Sequence, residues 1–251
     1  MSNNLIQEFE RFEAIIRRLR KECPWDKAQT PQSLAAPLIE EAYETVEAIE
    51  NHNVDELKKE LGDLFLHVIF QALMAEEQNS FTLEDVLRSE SEKLIYRHPH
   101  IFGDTAVSSA QDVAKNWEEL KRAETGRTSV LDGVPASLPA LQRAARIQDK
   151  ASKVGFDWPT TEGVLDKIRE EIEEFAAATT PEEREDEFGD ILFSLVNLSR
   201  HIHLEAERSL REATRKFESR FRRLEDIVER SGSRWSELSL DALDDIWRTV
   251  K

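Results

Sequence analysis

Hydrophobic positions along this chain recur with the period of an α-helix. Leu57, Leu61, Leu64, Phe65, Val68, Ile69, Ala72 and Leu73 fall at i, i+4, i+7, i+8, i+11, i+12, i+15 and i+16, one apolar stripe on one helix. Asn53 ahead of it suits an N-cap, with Glu56 three residues on as its capping-box partner. Thr180-Pro181-Glu182-Glu183 repeats that start signal, with cap, Pro at N1 and box glutamate, before a second stripe of Phe188, Ile191, Leu192, Leu195, Val196 and Leu198. Period-two alternation is scarce, and Gly and Pro number only eight each, too few for a chain dominated by β-turns. The expected class is all-α. GRTSVLDGVPASLPA, Gly126 to Ala140, gathers the turn-forming residues and reads as a linker. The expected organisation is a helical domain over 1–125, the linker over 126–140, and a second helical domain over 141–251.

An internal repeat ties the two halves together. Glu40-Glu41-Ala-Tyr-Glu44 returns as Glu170-Glu171-Ile-Glu-Glu174, and Glu60-Leu-Gly-Asp63 as Glu187-Phe-Gly-Asp190. Lys93-Leu-Ile-Tyr-Arg97 returns as Lys216-Phe-Glu-Ser-Arg220, and Trp117-Glu-Glu-Leu-Lys121 as Trp247-Arg-Thr-Val-Lys251. Trp25-Asp26 has a looser echo in Asp157-Trp158. Four matched elements in one order make each half a copy of one ancestral unit.

Charge narrows the partners. With 51 acidic against 34 basic side chains the formal charge is −17, a surface that repels nucleic-acid polymers and anionic lipid. A small phosphate ligand is still admitted where a divalent cation mediates. The single cysteine, Cys23, excludes an intramolecular disulfide and a thiolate metal site, and is expected to be a small buried side chain. The longest apolar run, LFLHVIFQALMA, is broken by His67 and Gln71 and is too short for a bilayer. The N-terminus shows no basic-then-apolar signal pattern, so the cytoplasm is the expected compartment.

The repeated acids carry the candidate chemistry. At about 100° per residue, Glu40, Glu41 and Glu44 share one face of a helix, as do Glu170, Glu171 and Glu174. Glu60 and Asp63, like Glu187 and Asp190, are three apart and neighbours on the next helix, at the flank of its apolar stripe. Two antiparallel helices then gather four or five carboxylates, a cluster that repels itself until a cation enters. Oxygen ligands without cysteine or histidine favour a hard ion, Mg²⁺ or else Mn²⁺. Lys216 and Arg220, one turn apart, suit phosphate oxygens, while Trp247 suits a base or sugar, with Lys251 beside it. Lys167 and Arg184 join them as nucleotide-binding candidates. Taken singly, each motif is more often solvated surface or core; the paired recurrence raises the metal reading. Gly62 and Gly189, each costing about 1 kcal/mol inside a helix, point to close helix packing at the seam. Glu47 and Glu50 have no counterparts and read as surface charge. His67 has Ser194 opposite it in the repeat and reads as a packing residue or a support behind the acids, with His98 and His100 in a turn around Pro99.

These residues resemble the MazG family, nucleoside triphosphate pyrophosphohydrolases of the all-α NTP pyrophosphatase superfamily. The likeness covers essentially the whole chain: CPWDKAQT, both EExxE…ExGD pairs, YRHPHIFGD, SLPAL, VGFDW, KFESRFR and the final WRTVK. The resemblance implies two tandem MazG-like bundles, dimers of helical bundles, and Mg²⁺-dependent hydrolysis of nucleoside triphosphates to NMP and pyrophosphate with broad base tolerance. It implies metal ligation by Glu170, Glu171, Glu174, Glu187 and Asp190, with Glu40, Glu41, Glu44, Glu60 and Asp63 as the first-half set. It places phosphate and base on Lys216, Arg220, Trp247 and Lys251. Glu171 is the expected acceptor of the water proton, with Lys216 and Arg220 as catalytic partners on the leaving pyrophosphate. The family tends to carry a basic residue just before ExGD; here the stretch is Glu183-Arg184-Glu185-Asp186, and Arg184 is the substitute. The denser basic cluster of Lys216, Arg220, Arg222 and Arg223 favours the second half as the active one, the first being structural or dimer-forming. Three other readings stand beside this one. A di-iron bundle fails because no His has Glu three residues before it. A dUTPase-like or phosphoribosyl-ATP pyrophosphohydrolase activity shares the metal motif. A non-catalytic dimerisation or protein-binding module would keep the acids only as vestiges.

Overall fold

The computed structural model describes residues 3–109, 112–113, 116–117, 120 and 129–250. Among these it contains eleven α-helices, one 3-10 turn and no strand, the all-α architecture that the periodicity predicts. The chain divides into two compact units, residues 1–125 and 126–251. Residues 129–139, inside the stretch read as a linker, group with the second unit.

The first unit holds α1 (Asn3–Glu22), α2 (Pro24–Ala28), α3 (Ala35–Glu50), α4 (Val54–Glu77), α5 (Leu83–Arg97) and α6 (Pro99–Phe102). The cap of α4 is half of the expected box. Asn53 Oδ1 accepts from the Glu56 backbone N–H at 3.2 Å, but the Glu56 carboxylate turns to Lys59 Nζ at 2.9 Å instead of back to the cap. α5 has the full reciprocal box, Thr82 with Asp85. α4 is the central helix, packing on α1, α3 and α5, and Ile16, Leu34, Ile69, Phe70, Leu73 and Met74 form the core around it. The sequence stripe is thus buried within the chain only in its later part, where Ile69, Ala72 and Leu73 enter the core. Leu61, Phe65 and Val68 keep 52%, 40% and 45% exposure, whereas Glu60 keeps 1%. Before α2, Arg20 gathers the turn: its Nη1 donates to the carbonyls of Asp26, Lys27 and Gln29, and its other nitrogens grip Glu77 at 2.9 Å. Cys23, just ahead of α2, is half-buried rather than buried.

The second unit holds α7 (Ala140–Ser152), α8 (Thr161–Ala177), α9 (Pro181–His201), α10 (Ala206–Ser231), a 3-10 turn (Trp235–Glu237) and α11 (Leu240–Thr249). Here the capping box is complete, with Thr180 and Glu183 bonded reciprocally and Pro181 at N1. A three-residue link makes α8 and α9 an antiparallel hairpin. α7 and α10 pack on α9, and α11 packs on α10 through Leu224, Val228 and Val250. α10 ends at Gly232, whose φ of 71° is the left-handed cap that glycine adopts without strain. Gly62 and Gly189 are not seam glycines: a methyl added at either meets nothing within 4 Å. Ile172, Phe175, Phe188 and Leu192 leave large apolar side chains exposed on the α8–α9 hairpin.

Candidate metal and nucleotide site

Both helical hairpins bring acids together, three at a time. Ligand-capable oxygens of Glu41, Glu60 and Asp63 lie within 4.8 Å of one another in the first unit, as do those of Glu171, Glu187 and Asp190 in the second. Glu40, Glu44, Glu170 and Glu174 stay outside these groups. The step of about 100° between neighbouring residues explains this: the second acid of EExxE turns inward while the first and last share a more solvated side. Glu44 and Glu174 are nevertheless felt, each adding its charge to the cluster beside it.

The clusters differ in which acid is most buried. In the second unit it is Glu171, 4% exposed; in the first it is Glu60, whose Oε2 is buried without a hydrogen-bond partner. Lysines hold both. Lys167 Nζ lies 2.8 Å from Glu170 and 2.8 Å from Glu171, and Lys59 Nζ lies 3.0 Å from Glu60. The hydrogen bond from Lys59 pulls Glu60 below the ordinary carboxylate range. One acid in each cluster is shifted the other way. Burial, and then Glu174, Glu171 and Asp190, push Glu187 up, while burial and then Asp63, Glu44 and Glu60 push Glu41 up. Carboxylates that resist ionising because of like neighbours are the environment a divalent cation relieves, and all donors here are oxygen, the set that hard ions take. The residues fit such an ion. His67 is buried on α4 with Nδ1 unpartnered, and burial lowers its pKa against the opposing pull of Asp63.

A cavity of about 670 Å³ adjoins the second cluster, with Glu171, Asp190 and Lys167 at one end and Ile147, Phe156, Trp158 and Phe193 among its walls. Its floor is tied by Asp157, which receives both Nη atoms of Arg200 and lies 3.1 Å from His201 Nε2. The Arg200 bonds, and then His201, hold Asp157 below its ordinary value. An acid depressed on folding contributes stability above its unfolded pKa that is lost as pH falls through the folded one. Asp157→Asn is therefore expected to cost about 1–2 kcal/mol near neutrality, a loss that fades below about pH 4. Thermal melts of both proteins from pH 3 to pH 7 check it.

The basic candidates lie elsewhere. Lys216 and Arg220 line a separate cleft with Ser219 and Arg223. Arg220 donates to the carbonyls of Trp247 and Val250 at 3.0 and 3.3 Å, and its guanidinium lies 4.0 Å from the Trp247 ring centroid. Trp247 itself packs against the core of α10 and α11. Arg184 donates to the Ala178 carbonyl at 3.3 Å, and Glu183 is engaged in its capping box. Lys251 lies outside the described residues. The sequence reading passed over Lys59, Gln148 and the Asp157–Arg200–His201 tie. For Lys59 a signal existed, a basic residue directly before ExGD in the first half; His201 gave none, because its partner is 44 residues away.

Comparison with known proteins finds the same likeness over the whole chain. A profile of the MazG nucleotide pyrophosphohydrolase domain matches residues 29–102. The nucleoside triphosphate pyrophosphohydrolase/pyrophosphatase MazG of Thermotoga maritima is 47% identical over 97% of this chain and 95% of its own length. The nucleoside triphosphate pyrophosphohydrolase of Escherichia coli K12 is 41% identical over 98% of each chain. The crystal structure of a MazG-related protein from Thermotoga maritima covers 45% of this chain and 98% of its own at 29% identity, with a TM-score of 0.41.

Proposed function

Because the chain belongs to the MazG family of nucleoside triphosphate pyrophosphohydrolases, we propose that it hydrolyses nucleoside triphosphates between the α and β phosphates. Water and NTP give NMP, pyrophosphate and a proton. The observation that carries this reading is the group Glu171, Glu187 and Asp190 at the end of a cavity large enough for a nucleoside. Those three residues would hold Mg²⁺, which when bound supplies charge neutralisation and a more acidic water.

The chain's own groups do the rest. Glu171 accepts the proton of the attacking water, its position fixed by burial and by Lys167 one turn before it. Lys167, which lines the cavity beside Glu171, holds phosphate oxygens with its third N–H while keeping its bond to Glu171. Lys216 and Arg220, which line a separate cleft, are given no step at this cavity. The apolar and aromatic walls, Ile147, Phe156, Trp158 and Phe193, take the nucleoside, and surfaces of that kind contact any base, which supports broad base tolerance. The exposed apolar side chains of the α8–α9 hairpin support a homodimer. No helix among the described residues is long and apolar enough to cross a membrane, and action on the cytoplasmic nucleotide pool is part of the proposal.

Product analysis tests the reading. The purified protein with the eight common NTPs and dNTPs is expected to release NMP and pyrophosphate in Mg²⁺ and to stop when EDTA removes the ion. NDP and orthophosphate would mean the wrong bond. No product from any of them would leave the protein as a binding module or an enzyme of narrower substrate.

A further inference from the structure

One polar group in the cavity has no work in the reaction just described. Gln148, on the inward side of α7, is 7% exposed. Its Nε2 donates to the Phe193 backbone carbonyl at 2.8 Å, which settles the orientation of the amide, since the flipped form would set oxygen against oxygen. Its Oε1 is buried and accepts no hydrogen bond. Buried acceptors are rarely left so, because water's hydrogen bond has been given up for nothing. Gln148 lines the same cavity that ends at Glu171 and Asp190.

The surroundings narrow what can pair with it. Phe156 and Trp158 are aromatic walls, and both keep substantial exposure while empty of partners, at 82% and 46%. Trp158 rests against Gly163, where an added Cβ would come within 2.9 Å of the indole, so the glycine lets the ring lie on the first turn of α8. A flat group with two apolar faces and an N–H on its edge satisfies these walls and the acceptor together. A sugar ring has no flat apolar face to set against these two rings.

We propose that Gln148 is the base-reading residue of this site: its Oε1 accepts an N–H from the edge of the nucleobase while Trp158 and Phe156 cover the faces. The inference rests on the proposed nucleotide reading of the cavity and goes beyond it in naming the group that discriminates. Every common base carries an edge N–H, so the site tolerates several of them. It rejects a base that has none, because the acceptor would then stay unpaired.

Calorimetric binding of AMP, GMP, CMP, UMP and purine riboside monophosphate, in Mg²⁺, tests this on the full chain. The last ligand keeps the purine shape but has no N–H on its base. The wild-type protein is expected to bind AMP on the order of tenfold tighter than purine riboside monophosphate. Gln148→Met, of similar volume and without an acceptor, is expected to bind the two about equally. An unchanged preference in the variant, no preference in the wild type, or no binding of any of the five would overturn the inference. Should Gln148→Met lose its helical circular dichroism, Ala151→Leu carries the test, since it fills the cavity without touching the amide. It is expected to weaken all natural NMPs roughly tenfold, and unchanged binding would overturn the placement of the base. Turnover separates the two proposals. Cleavage of NTPs with the same base profile in Gln148→Met defeats this inference and leaves the reaction standing. Absence of NMP and pyrophosphate from every NTP defeats the reaction, while the binding data still judge Gln148.

Discussion

Glu171→Gln is expected to lower NTP turnover by about 100-fold or more, the range lost when a positioned base is removed. The substitution keeps the volume and one hydrogen-bond acceptor, so α8 and its packing through Val164 and Ile168 stay in place. Lys167 retains Glu170 as its ion-pair partner. What disappears is the one carboxylate that is at once buried, in the acidic group and on the wall of the cavity. Glu41→Gln, at the matching position of the first unit, is expected to keep turnover within about threefold, because the proposal assigns that unit no chemical step. Pyrophosphate release measured on both variants, with circular dichroism to show intact helices, decides between the halves. Equal losses would mean that both clusters work. A loss confined to Glu41→Gln would move the reaction to the unit that the family profile matches.

The second large effect concerns stability and the ion. Glu187 has its pKa raised above the ordinary 4.5 by burial and by the charges of Glu174, Glu171 and Asp190. For an acid raised on folding, the folded state binds more protons between the two pKa values, so stability falls as pH rises through that window. Above it the full electrostatic cost remains; below about 4.5 it is gone. Without divalent ions, Glu187→Gln is therefore expected to melt higher than the wild type at pH 7, with the difference closing toward pH 4. Added Mg²⁺ is expected to give the wild type what the substitution gives the variant. At 100 times its Kd an ion bound only to the folded state contributes about 2.7 kcal/mol, several degrees in Tm. Melts of both proteins with EDTA and along a Mg²⁺ series measure it. A wild-type Tm indifferent to Mg²⁺ would count against the metal reading of this cluster.

The helices were readable because their signals are local. Thr180-Pro181 with Glu183 is a start written within four residues, and the structure forms the complete box there. Asn53 and Glu56 read identically, yet Lys59 draws the Glu56 side chain away, a competition decided by one turn of context. The buried face was harder. Ile69, Ala72 and Leu73 of the apolar stripe enter the core while Leu61 and Val68 stay half exposed, and period alone does not say how far along a stripe the cover within the same molecule extends. Gly62 and Gly189 misled for a related reason: recurrence of a glycine does not say what packs against it, and the space beside both is open. In the site, spacing correctly named Glu41, Glu60, Asp63, Glu171, Glu187 and Asp190 as groups that converge. Glu40, Glu44, Glu170 and Glu174 lie outside those close groups, though Glu44 and Glu174 add their charge to them. The cavity was hidden altogether, because Gln148, Trp158 and Phe193 come from three separate segments and only packing makes them neighbours.

The two lysines on the buried acids bear on how such a protein is made. Lys59 reaches Glu60 from the adjacent position on α4, whereas Lys167 reaches Glu171 from one turn earlier on α8, the partner helix of the hairpin. Different positions on different helices thus serve one end in both halves: the most buried carboxylate already has a cation before any ion arrives. A newly synthesised chain is therefore expected to complete its fold in an ion-poor setting, unlike small metal domains whose folding waits for their metal. Loading then becomes an exchange of one cation for another on a finished scaffold, and ion scarcity would idle the protein without unmaking it.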